Sequence, residues 1–156
     1  MVLANPFKRE AEELGASYLK ACERVIASGW YILGKEVEQF ESELATYLGA
    51  REVIGCASGL DALFLSLKAL DIGPGDEVIT TPLSAVATAL AISHAGATPV
   101  FVDVEPETLA IDPDLVKKAI GPKTRAVIPV HLYGYPARVS ELKAICDPHR
   151  IALLED

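Results

Sequence analysis

The sequence predicts an α/β protein built on a mostly parallel sheet with helices on both faces. Three observations predict it. From Glu52 onward, apolar runs of strand length alternate with runs of helix length, the order that makes βαβ units. Turn residues punctuate that alternation at Gly73-Pro74-Gly75-Asp76, at Gly96 and at Gly121-Pro122-Lys123-Thr124. Right-handed crossovers then place the connecting helices on the faces of the sheet.

Two amphipathic helices come first. Leu14, Tyr18, Leu19, Cys22 and Val25 recur at helical spacing between Pro6 and Ala27, and Ser28-Gly29 ends the run. Val37, Phe40, Leu44 and Tyr47 share one face of a second helix from Lys35 to Tyr47, with Gly49 at its C-terminal cap. Glu52 to Ala57 then reads as a short buried strand and Leu60 to Leu70 as a helix. Glu77 to Thr80 is a strand, Ser84 to Ala95 a helix closed by Gly96, and Thr98 to Val104 a strand. Asp112-Pro113 opens a helix to Ile120, and Arg125 to Val130 is a strand. Val139 to Cys146 is a helix, and Ile151 to Leu154 a last strand. A strand followed at once by the final residue, Asp156, leads us to expect that the chain is part of a longer protein.

Composition bounds the function. A chain of 156 residues buries about 70% of its unfolded surface, enough for a proper core. A net charge of -8 argues against sequence-independent nucleic-acid binding, which needs clustered Lys and Arg. Cys22, Cys56 and Cys146 are scattered, with no CxxC pair, so neither a zinc site nor a disulfide framework is expected and no metal is assigned. No stretch reaches the roughly 18 apolar residues of a membrane helix, and Met1 to Arg9 lacks the apolar run of a signal peptide. A soluble, cytoplasmic protein is expected.

In open parallel sheets, ligands bind beyond the carboxyl ends of the strands. The segments there are Ser58-Gly59-Leu60-Asp61, Thr81-Pro82-Leu83-Ser84, His131 to Gly134, and Glu155-Asp156. Ser58-Gly59 suits two readings, a phosphate site at a helix start or a plain tight turn with a Ser cap. It is neither a P-loop nor a dinucleotide fingerprint. Asp61, an awkward neighbour for a phosphate, is expected to point away from it. Asp156 reads either as the acceptor of a charge-assisted bond from a cationic ring nitrogen, contributing about 1.5–3 kcal/mol, or as a solvated carboxylate. His131, between Val130 and Leu132, reads as a structural residue before a catalyst. Trp30 and Tyr31, in a loop between Gly29 and Gly34, either pack on the body or line a substrate cleft.

Assembled, these segments resemble the DegT/DnrJ/EryC1/StrS aminotransferases, a family within fold type I of the pyridoxal-phosphate enzymes. Gly29-Trp30-Tyr31-Ile32-Leu33-Gly34 with Val37-Glu38-Gln39-Phe40-Glu41 is similar to the family's opening segment. Ser58-Gly59-Leu60-Asp61-Ala62-Leu63 resembles its phosphate-binding turn. Gly73 to Ile79, Gly96 to Val104, Pro129 to Gly134 and Glu155-Asp156 follow in the family's order.

The resemblance implies pyridoxal 5'-phosphate as cofactor. The amides of Leu60 and Asp61 would hold its phosphate, with Ser58 and Gly59 in the same turn, and Asp156 would be the partner of its pyridinium. His131 and Ala85 would lie beside it, and Trp30 and Tyr31 on the substrate side. Three positions depart from the pattern. Leu60 stands where a Thr is frequent, Ala85 where an aromatic residue stacks on the ring, and Tyr135 where a Gln is common. Residues 1–34 would be an N-terminal helix and substrate-side loop, and residues 35–156 the first portion of the cofactor-binding large domain.

The implied reaction moves an amino group from glutamate or glutamine onto a nucleotide-linked keto-sugar, for polysaccharide or antibiotic-sugar synthesis, in a homodimer. None of Lys8, Lys20, Lys35, Lys68, Lys117, Lys118, Lys123 and Lys143 matches the family's Schiff-base lysine, so no catalytic residue is assigned here and the chain alone is expected to be inactive. Two other readings stay open: a sugar dehydratase of the same family, and a non-catalytic regulatory or interaction protein.

Overall fold

The computed structural model of the chain describes residues 7–156. Pro6, expected to open the first helix, lies outside them. The backbone forms two compact units, residues 1–55 and 56–156. In the first, α1 (Phe7–Ser28) and α2 (Lys35–Leu48) join through a turn around Gly34, where the sequence had suggested a division. Arg24 of α1 grips Glu36 of α2 with two bonds, at 2.9 and 3.0 Å. Gly49 caps α2 through bonds to Ala45 O and Thr46 O.

The expected strand at Glu52–Ala57 is not a strand. The segment joins no ladder of the described sheet, and Ile54 is 79% exposed. The Gly55 N–H donates instead to the Glu41 carboxylate of α2, at 2.7 Å. A short apolar run predicts burial, but a strand also needs a neighbour's backbone.

The second unit holds α3 (Gly59–Ala69), β1 (Glu77–Thr80), α4 (Val86–Ala95), β2 (Thr98–Phe101), α5 (Pro113–Ala119), β3 (Thr124–Val127), α6 (Val139–Cys146) and β4 (Ala152–Leu153). The four strands pair in parallel in the order β2-β1-β3-β4. Pro99, which cannot donate to a ladder, sits on edge strand β2, where that loss is tolerated. β2 stops at Phe101, short of the expected Val104, because the chain turns there. The Asp103 carboxylate accepts the Val104 N–H at 2.8 Å, and Val104 bridges back to Ile111. Asp112 caps α5 through the N–H groups of Asp114 and Leu115.

Alternation along the strands divides the core. Val78 and Ala126 face one cluster with Leu63 and Leu67 of α3 and Ala91 and Ile92 of α4. Ile79 and Val127 face a second cluster with Val116 of α5 and Leu142 and Cys146 of α6. The helices therefore cover both faces, as the sequence predicts. Burial pushes the Cys146 thiol up from its ordinary range, with the Asp147 carboxylate adding to the shift and Lys143 opposing it.

Topology then sets where a ligand can lie. β1 leads through α4 on one face to β2, whereas β3 leads through α6 on the other face to β4 in the opposite direction. Consistently right-handed crossovers require that change of face when the direction reverses. The reversal lies between β1 and β3, and open α/β sheets bind ligands outside the carboxyl ends of strands at such a point.

The turn that leads into β1 is tied from both sides. Asp76 accepts the Gly73 N–H at 3.0 Å and the Arg125 Nε–H of β3 at 3.2 Å. The Gly73 N–H, and then Arg125, hold the Asp76 carboxyl below the usual carboxylate range against the opposing effect of burial.

Two predictions follow from this packing. Ile92→Ala, at a fully buried position, is expected to cost about 2–5 kcal/mol of unfolding free energy, measured by urea denaturation; a cost like that of an exposed site would contradict the cluster. Asp76→Asn is expected to destabilise at neutral pH. A depressed carboxyl contributes stability above its unfolded pKa of about 3.9, lost as pH falls through the lower folded value. The gap between wild type and variant should therefore narrow in acid, which denaturation at a series of pH values would record.

Candidate functional site

Of the four segments expected at the strand ends, two are bonded directly to each other and a third is linked to them through Thr88. Past β3, the ladder continues irregularly: the Ile128 N–H donates to Ile79 O at 2.8 Å, and the Asp156 N–H to Pro129 O at 3.0 Å. The His131 N–H then donates to Asp156 O at 2.8 Å. The backbone of Asp156 is thus pinned on both sides to the segment after β3. Between β1 and β3, the fully buried Thr80 hydroxyl donates to Ile128 O at 2.9 Å and closes the floor of the reversal point.

The Asp156 side chain reaches from there to α4. Its Oδ2 accepts from Thr88 Oγ1 at 2.6 Å, and Thr88 Oγ1 lies 2.9 Å from Ser84 Oγ. Thr88 is in the first turn of α4, whose N-cap is Ala85. A carboxylate held there meets the positive end of the helix. Helix α4 starts at Val86 rather than at Ser84, because Ala85 is extended, with φ -65° and ψ 146°.

His131 fastens the neighbouring loop. Its Nδ1 accepts the Ala137 N–H at 3.1 Å, and its Nε2 stands 2.9 Å from Glu155 Oε2. A nitrogen that accepts an N–H carries no hydrogen, so the ring hydrogen is on Nε2 and points to Glu155. Between these anchors lies the turn Leu132–Gly134, in which Tyr133 has a φ of 55° and is 94% exposed. Left-handed backbone at a bulky residue is held at a cost by the structure around it.

The Ser58 turn starts α3. Ser58 Oγ accepts the Asp61 N–H at 3.1 Å and donates to Asp61 Oδ2 at 2.9 Å. Asp61 therefore folds back onto its own cap rather than away, and its amide is engaged by Ser58; the free-amide role expected of Leu60 and Asp61 leaves Gly59 and Leu60 as the helix-start donors. Helices α3 and α4 end together. A Cβ on Gly73, past α3, would stand 3.6 Å from Ala95 O, and one on Gly96, past α4, would stand 3.0 Å from Pro74. Gly96, at a φ of 89°, is what permits that seat. Leu63 and Leu67 of α3 pack in one cluster with Ala91 and Ile92 of α4, so the two helices lie side by side on one face of the sheet.

Trp30 and Tyr31 belong to the first unit. Both are exposed, the Trp30 indole donates to Ile32 O at 2.6 Å, and they line a cleft of about 600 Å³ with Arg24, Gly34 and Val37. Among the described residues, no group of His, Cys, Asp and Glu suits a metal ion, and no helix is long and apolar enough to cross a membrane. Sequence reasoning placed Ser84 and Glu155 in the strand-end segments without a role of their own and passed over Thr88. The available signal was the spacing of four between Ser84 and Thr88, the latter a lone polar residue among the first seven of helix Val86–Ala95.

Known proteins match this chain over nearly all of its length. The DegT/DnrJ/EryC1/StrS aminotransferase family matches residues 12–156. A dTDP-3-amino-3,4,6-trideoxy-alpha-D-glucose transaminase of Streptomyces venezuelae is 48% identical over 96% of this chain and 39% of its own length. The crystal structure of S. venezuelae DesV in complex with a ketimine intermediate superposes with a TM-score of 0.92 at 47% identity, covering 95% of this chain and 40% of that one. NtdA from Bacillus subtilis with bound cofactor PMP gives 0.85 at 39% identity, over 88% and 32%. The chain spans about two fifths of the length of the curated relative it matches.

The His131 anchor is testable by amide exchange. His131→Ala removes the acceptor of the Ala137 N–H and is expected to speed exchange at that amide about tenfold, the equivalent of one hydrogen bond. An unchanged rate, read by NMR, would mean that the loop is held by something else.

Proposed function

Since the chain belongs to the DegT/DnrJ/EryC1/StrS aminotransferase family, we propose that the whole protein transfers an amino group from glutamate or glutamine to a nucleotide-linked keto-sugar, using pyridoxal 5'-phosphate. The observation that carries the proposal is the placement of Asp156. Its backbone is pinned to the segment after β3, and its side chain reaches to Thr88 in the first turn of α4, the helix that follows β1. The relatives that act on dTDP-sugars and the neighbour with bound PMP support the same reading.

The residues present fit the cofactor. Asp156 is an acceptor suited to a protonated pyridine nitrogen, the condition in which the ring draws electrons best. The amides of Gly59 and Leu60, at the positive end of α3, suit the phosphate, with Ser58 able to turn its hydroxyl from Asp61 toward it. His131 holds the loop beside Asp156 through its contacts with Ala137 and Glu155. Ala85 itself offers no aromatic platform to the ring. When bound, the cofactor supplies an electron sink and a carrier that alternates between aldehyde and amine.

None of the lysines of this chain takes the role of the family's cofactor-linked lysine, so the 156-residue chain alone is proposed to be inactive in amino transfer. Trp30 and Tyr31 are proposed to face the sugar. A homodimer in the cytoplasm, with neither nucleic acid nor membrane as partner, completes the reading.

The test is Asp156→Asn in the full-length protein. The carboxylate's bond to a ring N–H predicts cofactor affinity about 10–100-fold weaker, followed by absorbance titration, with amino transfer to a dTDP- or UDP-keto-sugar lost. Full-length protein that ignores pyridoxal phosphate, or a variant that transfers as well as wild type, would refute the reading.

A further inference from the structure

We propose that Thr88 is a positioning residue, and that with Ser84 behind it Thr88 sets the rotamer of the Asp156 carboxylate so that Oδ1 is the oxygen offered to a ligand. The inference rests on the cofactor reading above for what that ligand is, but the positioning itself rests on geometry alone.

The direction of the relay follows from donor counting. A carboxylate only accepts, and a hydroxyl has one hydrogen. Thr88 therefore spends its hydrogen on Asp156 Oδ2, at 2.6 Å, a length proper to a charge-assisted O–H···O bond. The lone pairs of Thr88 remain, so across the 2.9 Å to Ser84 it is Ser84 that donates. The order is Ser84 O–H to Thr88 Oγ1, and Thr88 O–H to Asp156 Oδ2. A hydroxyl that already receives a bond is the stronger donor.

Thr88 is suited to hold a position as well as to bond. It is 2% exposed and sits one turn before Ala91 and Ile92, which are fully buried in the cluster beneath. A β-branched side chain on a helix has few χ1 choices. Asp156 is held through its backbone by Pro129 O and the His131 N–H. What remains free in Asp156 is rotation about its side-chain bonds, and Thr88 takes one oxygen and removes that freedom. Ordering a carboxylate before the ligand arrives lowers the entropy lost on binding.

The test compares two substitutions in the full-length protein. Thr88→Val keeps the shape and removes the hydroxyl, whereas Thr88→Ser keeps the hydroxyl and removes a buried methyl. Two readouts are used: the dissociation constant for pyridoxal phosphate, and the Asp156 χ1 couplings measured by NMR on cofactor-free protein, with thermal melts to confirm that each variant is folded. A positioning role predicts that Thr88→Val averages the Asp156 rotamers and weakens cofactor binding about tenfold, the equivalent of one hydrogen bond to a charged group, while Thr88→Ser keeps both near wild type despite a lower melting temperature. A packing role predicts the reverse order, and that result would overturn the proposal, as would unchanged couplings in Thr88→Val. Should the unsubstituted protein bind no pyridoxal phosphate, the functional reading fails while the couplings still decide the positioning role.

Discussion

The reversal of direction between β1 and β3 is the constraint on which the site depends. A right-handed crossover leaves β1 over one face of the sheet, and another leaves β3 over the opposite face. The two connections part at the carboxyl ends, and the backbone groups they would have covered are left to be satisfied in other ways. Thr80 bridges to Ile128 O, and the segments after β3 and β4 bond to each other through Asp156. Polar side chains gather there because the topology leaves polar backbone there. Among the described residues, no buried side-chain polar atom lacks a partner, the Thr80 and Thr88 hydroxyls included.

The core explains how α3 is seated although it precedes the first strand of the described sheet. Leu63 and Leu67 enter the cluster of Ala91 and Ile92, and the chain beyond both helices closes through Pro74 and Gly96. Leu63, one turn into α3, is 5% exposed in that cluster, so the hydrophobic contacts that seat α3 reach from its last turn to near its first.

What was legible in the sequence was local. Glu77–Thr80 and Val139–Cys146 fall where apolar pattern and turn residues put them, since a strand flanked by Gly-Pro-Gly-Asp and a helix with the right period are specified by near neighbours. The caps at Ser58, Gly49, Gly96 and Asp112 are legible for the same reason. The strand expected at Glu52–Ala57 is not among the strands of the described sheet because ladder membership is not local: an apolar pattern does not specify which segments pair. Thr88 was missed because its partner is 68 residues away. In the sequence it is a small polar residue in an apolar helix, and only the fold turns its hydroxyl into a neighbour of Asp156.

Asp61 shows why a site residue can look wrong in sequence and be reasonable in space. A carboxylate in the first turn of α3 repels a phosphate, yet the same helix end attracts any anion, its own side chain included. Asp61 answers that attraction by folding onto Ser58, which is exposed, while Asp61 itself is half-buried. A pair with an exposed partner is worth little, because water competes for it. The Asp156 carboxylate is instead held by the buried Thr88 hydroxyl, while two further bonds hold the Asp156 backbone. One acid is thus tied to a partner three residues away and the other to a partner 68 residues away, so only the second owes its setting to the fold.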